Sequence, residues 1–209
     1  TNDANAAAMG EMMYGAAKGM KDFIMMTLGT GVGSGIVING HLVYGHDGFA
    51  GEWGHTIIIP NGRKHWSTGS QGSLESYASA TGVRLTALEL LEKNTKKDSL
   101  LRNYAAEEID SRVVYDCAMR GDELSIETFR FTGEILGKAL ANFIMFSSPL
   151  AIILFGGLCK AGSFILEPAK QHMEANLLPI FRNKVRLIYS ELKESDAAIL
   201  GASALVWEL

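Results

Sequence analysis

Close to the N-terminus Asp3 follows Asn2 and precedes an alanine-rich run. A carboxylate at a helix start can take the proton from a hydroxyl and aim the resulting oxygen at a phosphorus. The same position suits an ordinary N-cap, whose oxygen is occupied by a backbone N–H. Both readings of Asp3 stand on the sequence. Further on, Leu28-Gly29-Thr30-Gly31-Val32-Gly33-Ser34-Gly35 puts glycines at alternate positions. Bare N–H groups on a glycine turn can close around an anion, because no Cβ blocks the approach. A plain glycine-rich hairpin is the alternative. No Lys-Ser/Thr follows, so this is not the P-loop pattern, and no helix pattern follows directly, as a dinucleotide fingerprint requires. A third group is Glu52 and His55, in Glu52-Trp53-Gly54-His55, together with Glu75. Carboxylates and imidazoles accept hydrogen bonds from O–H groups and so suit the hydroxyls of a sugar. A glutamate opening a helix also has a plain role against the helix dipole, and a single histidine is usually structural. Trp53, Trp66 and Phe49 offer ring faces to a sugar or to the core. His41, His46, His65 and His172 show no interpretable spacing.

Those side chains need elements to position them. Residues 4–18, rich in Ala and Met, read as a helix, with Asn2 and Asp3 where the N-cap belongs. Apolar runs at 23–28, 35–38 and 42–44 read as three strands of an antiparallel meander, and Asn39-Gly40 is a two-residue hairpin signal between the last two. Residues 45–54 form a loop, 56–59 a short strand ended by Pro60-Asn61-Gly62, and 63–72 an irregular polar segment. Helices are expected over 72–80, 83–93, 105–120 and 122–146, the last ended by Pro149. The charged residues 94–98 are expected to be exposed. The purely apolar run 151–155 predicts a strand covered on both faces, with Gly156-Gly157 at its C-terminal end. A helix over 164–176, a strand over 185–189 and a closing helix over 197–207 complete the chain. Meander, helical insertion, then alternating strand and helix predict an α/β fold: a mixed sheet with helices on its faces.

The 209 residues are 47% hydrophobic and 20% charged, with a formal charge of −4. That is a globular composition with ample core material. The acidic balance and the lack of a dense basic block argue against nucleic acid as the main partner. No apolar run reaches the length that crosses a bilayer. Cys117 and Cys159 lie far apart without metal-ligand spacing, a usage that suits a reducing compartment.

Taken in order, the motifs resemble those of the ROK family, which contains bacterial glucokinases, other sugar kinases and sugar-responsive repressors. The resemblance rests on Asn2-Asp3-Ala4-Asn5-Ala6-Ala7, on Leu28 to Gly35, on Gly51-Glu52-Trp53-Gly54-His55, on Gly72-Ser73-Leu74-Glu75, on Phe155-Gly156-Gly157 and on Leu200-Gly201-Ala202. It covers essentially the whole chain. It implies a ribonuclease-H-like, actin-type ATPase lobe formed by residues 1–209, with a helical insertion at about 72–148. It also implies phosphorylation of a hexose by ATP with Mg2+. In that reading Asp3 is the catalytic base, Asn2 hydrogen-bonds the sugar, and Glu52, His55 and Glu75 hold its other hydroxyls. Gly29, Thr30, Gly31 and Gly33 face the ATP phosphates, while Gly156 and Gly157 lie near the adenosine. A cytoplasmic homodimer without membrane contact is implied too, with the apolar helices of 83–146 available for an interface. The alternative inside the family is a repressor that binds sugar as an effector, with a DNA-binding N-terminus. A degenerate sugar-binding module without catalysis is a third possibility.

Two departures accompany the resemblance. Many family members hold zinc through the His of Glu-x-Gly-His and three cysteines of a Cys-x-Cys-Gly-x-x-Gly-Cys motif. Here those cysteine positions read Trp66, Thr68 and Ser73, which do not replace thiolates, so no zinc is expected. The loop 63–72 is then held by packing or is mobile. In addition, the family's N-terminal lobe, with its Asp-x-Gly-Gly-Thr-like phosphate motif, is expected before Thr1. The 209-residue piece is therefore expected to have little activity alone.

Overall fold

The structure is a computed structural model that describes residues 2–192 and residue 203. Strands β1 (Phe23–Leu28) and β2 (Val32–Ile38) make an antiparallel hairpin, and β2 pairs antiparallel on its other edge with β3 (His41–Leu42). β1 pairs parallel with β4 (Ala151–Phe155), which pairs parallel with β5 (Arg186–Tyr189), giving the order β3-β2-β1-β4-β5.

Side-chain alternation along the strands sorts the core into two layers. Phe23 and Met25 of β1 join Ala151 and Ile153 of β4 beneath helix α1 (Asp3–Tyr14), which contributes Ala7, Ala8 and Met9. Ile24, Met26 and Leu28 join Ile152 and Leu154 on the opposite face. That face is covered by Leu136, Leu140 and Ile144 of α5 (Glu123–Ser147) and Ile165, Ala169 and Met173 of α6 (Ser163–Asn176). Strands buried on both faces have no polar side to alternate with, which is why β4 and, apart from the half-buried Thr27, β1 are apolar runs. Outside α5 lie α2 (Glu75–Ala78), α3 (Ala80–Lys93) and α4 (Ser111–Met119), whose Val83, Ala87, Val114 and Cys117 complete that core.

Several elements differ from the expectation, each for a local reason. α1 stops at Tyr14 instead of residue 18, because the buried Glu11 carboxylate captures the Ala16 N–H at 2.6 Å. The segment 56–59 is not a strand: the N–H groups of Ile58 and Ile59 both donate to the Gly72 carbonyl, leaving only an isolated bridge between Ile57 and Ser73. The expected helix over 105–120 begins only at Ser111. Asp110 caps it by accepting the Val113 N–H at 2.8 Å, and a 3-10 turn, Leu100–Asn103, precedes it. α5 ends where Ser148 turns left-handed (φ 49°) ahead of Pro149. The expected helix over 197–207 lies, residue 203 apart, outside the described residues. Among the described residues no helix is long and apolar enough to cross a membrane.

Candidate active site

The alternating glycines divide between two tasks. Gly33 and Gly35 lie within β2, and the two-residue period puts them on one face, against α1. A Cβ on Gly35 would stand 2.8 Å from the Ala4 carbonyl oxygen and 2.9 Å from the Ala8 Cβ, and one on Gly33 would stand 3.1 Å from the Ala4 Cβ. The helix therefore rests directly on strand backbone. Because Ala4 meets both glycines and Ala8 meets only Gly35, the N-terminal end of α1 lies toward the hairpin turn. Asn2 is the N-cap, with its Oδ1 accepting the Asn5 N–H at 2.8 Å. Asp3 is the exposed first residue of the helix and carries no capping duty. The capping alternative thus belongs to Asn2, and the Asp3 carboxylate stands at the positive end of the helix.

The turn itself faces a cavity of about 830 Å³. Gly29, Thr30, Gly156 and Gly157 all line it. A Cβ on Gly29 or Gly157 would meet no atom within 4 Å. The ends of β1 and β4 touch here, since a Cβ on Gly156 (φ 108°) would stand 2.6 Å from the Leu28 carbonyl oxygen. The cavity thus opens at the carboxyl ends of parallel strands, where α/β sheets place their ligands. The start of α3 is tied to the turn by the Ala80 N–H, which donates to the Gly29 carbonyl at 2.8 Å. Arg112, Tyr115 and Asp116 of α4, Phe129 of α5 and Lys160 of the 3-10 turn Gly157–Ala161 line the remaining wall. The Gly29 N–H is used within the turn, donating to the Gly31 carbonyl at 3.0 Å, but the open space at Gly29 and Gly157 lets a ligand approach the backbone closely. Two cations suit phosphates, while the rings suit a planar base. Gly31 and Gly33 do not line this cavity. Gly31 is bare because the Glu75 carboxylate sits against it, 2.6 Å from where a Cβ would stand.

Glu75 opens α2 and joins two segments. Its Oε2 accepts the Val32 N–H at 2.6 Å, and its Oε1 meets His65 Nε2 at 2.6 Å. His55 ends the 3-10 turn Trp53–His55, with its Nε2 3.9 Å from a Glu52 carboxylate oxygen and its ring centroid 5.6 Å from that of His65. His55 and Glu75 therefore flank His65, which no spacing in the sequence singled out, and Glu52 stands beside His55. His55, His65 and Glu75 each offer a ligand atom within 4.8 Å of the others. The positions of the resembled cysteines, Trp66, Thr68 and Ser73, offer no thiolate. Trp53 is committed to packing, stacked on Phe143 at 3.9 Å. Trp66 stacks on His65 at 4.1 Å, and Phe49 projects away, 75% exposed. Burial raises the pKa of the Cys117 thiol, so it is no nucleophile at neutral pH.

The loop 63–72 is anchored at its start. Arg63 donates to Glu89 Oε1 at 2.8 Å, to the Ser76 carbonyl at 2.5 Å, to the Gly82 carbonyl at 3.2 Å and to Thr86 Oγ1 at 3.0 Å, with its guanidinium 4.6 Å above the Tyr77 ring.

The family model for ROK proteins matches residues 1–208. The chain belongs to the ROK family. It is 38% identical over 206 residues to a glucokinase from Halalkalibacterium halodurans, covering 98% of this chain and 62% of that protein. It is 32% identical over 207 residues to a xylose repressor from Bacillus spizizenii, covering 99% of this chain and 50% of the repressor. A crystal structure of a ROK glucokinase from Streptomyces griseus, in complex with glucose and AMPPNP, superposes with a TM-score of 0.86 at 32% identity, over 98% of this chain and 66% of that one. The chain thus spans under two thirds of the length of these glucokinases.

Of the residues missed from sequence, Arg112, Tyr115 and Asp116 carried a usable signal. Offsets of three and four put them on one helix face, above the buried Val114 and Cys117. His65 and Arg63 carried none.

Proposed function

We propose that this ROK chain holds the nucleotide and part of the sugar site of a hexose kinase, with the ribonuclease-H-like, actin-type lobe as its frame. The observation that carries the proposal is the convergence of Gly29-Thr30 and Gly156-Gly157, far apart in sequence, on one cavity at the strand ends. Asp3 stands on the helix seated against the same hairpin. In the proposed reaction the sugar hydroxyl gives its proton to the Asp3 carboxylate. The sugar oxygen bonds to the γ-phosphorus of ATP, and the bond from that phosphorus to the bridging oxygen breaks to release ADP. Mg2+ bound with the nucleotide would supply positive charge against the phosphate oxygens. Glu52, His55 and Glu75 accept hydrogen bonds from the remaining hydroxyls, and Asn2 offers its Nδ2. Phosphoryl transfer depends mostly on positioning and electrostatics, so a base and an anion turn held by adjacent elements are the parts it needs.

Asp3→Asn in the full-length protein tests the assignment. The expected result is a fall in kcat of about a thousandfold with sugar affinity kept within a few-fold. Turnover within about tenfold of the parent removes Asp3 from the role of base. The xylose repressor relative supports a competing reading in which sugar acts as an effector. Sugar binding without ATP-dependent transfer, in the full-length protein, decides for that reading.

A further inference from the structure

Where the family resemblance implies thiolates around His55, this chain has Trp66, Thr68 and Ser73, and the buried Ser73 Oγ is already paired with Ser76 Oγ at 2.8 Å. Beside them His55, His65 and Glu75 form a set of the kind that holds a cation. The hydrogen bonds of His65 decide against that use. Its Nδ1 lies 3.2 Å from the backbone N–H donors of both Ser67 and Thr68. Those groups can only donate, so Nδ1 presents a lone pair and the ring proton belongs on Nε2. There it points at Glu75 Oε1, 2.6 Å away. Neutral imidazole carries one N–H. Ligation through Nε2 would move the proton to Nδ1, against two other donors, at a side chain 1% exposed and covered by the Trp66 ring. A metal-bound histidine normally gives its second N–H to an acceptor, and His65 has donors in that place. The residues present do not fit a zinc ion.

We propose that His65 is a positioning residue, locking Glu75, and through Glu75 the glycine turn, to the loop 63–73 by hydrogen bonds where the family resemblance implies a metal. The chain of contacts runs from the Ser67 and Thr68 N–H groups to His65, from His65 to Glu75, and from Glu75 to the Val32 N–H. Both bonds to Glu75 are 2.6 Å long and end on a carboxylate, the stronger kind of hydrogen bond. Each carboxylate oxygen keeps a second acceptor direction, so Glu75 can be held and still receive a hydroxyl. Only this last point rests on the hexose kinase reading. Arg63 secures the base of the same loop through its own hydrogen bonds to Glu89 and to the Ser76 carbonyl.

The test uses the full-length protein labelled with 15N at histidine, its ring nitrogens followed by NMR and its Val32 amide by hydrogen exchange. The expected spectrum has the His65 proton on Nε2 and is unchanged by equimolar zinc chloride. His65→Phe is expected to speed Val32 exchange about tenfold or more, the loss of one charge-assisted restraint. His65→Gln, whose side-chain N–H still reaches Glu75, is expected to restore most of the protection. A proton on Nδ1 overturns the proposal. So does one-to-one zinc uptake that His65→Gln abolishes, or Val32 exchange unaffected by His65→Phe. If the Phe variant does not fold, the parent spectrum and the Gln variant decide, and a folded Gln variant with an unprotected Val32 counts against it. None of these readouts needs sugar or nucleotide. A chain that passes them yet binds neither ligand therefore counts against the kinase reading alone.

Discussion

Arg63 shows what one side chain can hold. Its guanidinium reaches two backbone carbonyls, a hydroxyl and a carboxylate while its side chain is only 10% exposed. Arg63→Met would leave the Ser76 and Gly82 carbonyls without that donor, and the expected cost is about 3 kcal/mol in urea unfolding. Arg63→Lys is expected to recover less than half, since an ammonium lacks the planar fork. A Lys variant as stable as the parent would show that charge alone suffices. At this scale the sequence was uneven. Asp3 could be named, but whether it or Asn2 caps α1 could not, because the two differ by one position and only the backbone geometry separates them. His65 was invisible for a related reason: its significance comes from where a loop of irregular backbone places Ser67, Thr68 and Glu75 around it.

Among the elements, the hairpin separates packing glycines from open ones. Gly35→Ala would press a methyl onto Ala4 and Ala8, and the expected destabilisation is about 2 kcal/mol as α1 shifts off β2. Gly29→Ala meets no atom within 4 Å, so stability is expected to stay within about 0.5 kcal/mol of the parent while nucleotide affinity falls. Equal melting temperatures for the two variants would contradict this division. Asp122 supplies an element-scale pH effect. Burial alone would raise its pKa, but hydrogen bonds from Ser125, from the Leu100 N–H and from the Ser99 hydroxyl outweigh burial and hold it below the ordinary value of 3.8. A depressed folded-state pKa gives stability that is present above the unfolded value and is lost as pH falls from there through the folded one. Urea midpoints of the parent are therefore expected to drop below about pH 4 more steeply than those of Asp122→Asn; parallel curves would refute it. The strands at 23–28 and 151–155 were legible because full burial leaves an unmistakable apolar run. The apolar residues 56–59 misled for want of a partner strand, and the start of α4 was misplaced because residues 105–110 mimic its periodicity.

Across the whole molecule, the cavity at the strand ends draws its lining from the turn after β1, the start of α3, α4, α5 and the segment after β4. Sequence could place the two glycine segments but not their meeting, which depends on β1 and β4 lying parallel as neighbours with Gly156 against the Leu28 carbonyl. Arg112 and Lys160 reach the same wall from separate elements, one on α4 and one on the turn after β4. Because every one of these parts belongs to the chain itself, nucleotide binding is expected in the 209 residues alone. A ligand that binds only the folded state at a hundred times its Kd adds about 2.7 kcal/mol, which for a chain of this size raises Tm by roughly 5–10 °C. AMPPNP with Mg2+ is expected to give a shift of that order, reduced in Gly29→Ala and in Arg112→Ala, since one loses the close approach of the turn and the other a cation in the wall. Glucose alone is expected to shift Tm less, since Asp3, Glu52 and His55 are exposed in this chain and enclose little. Differential scanning calorimetry across a nucleotide titration makes the measurement, and a flat Tm up to millimolar AMPPNP would move the nucleotide out of this cavity.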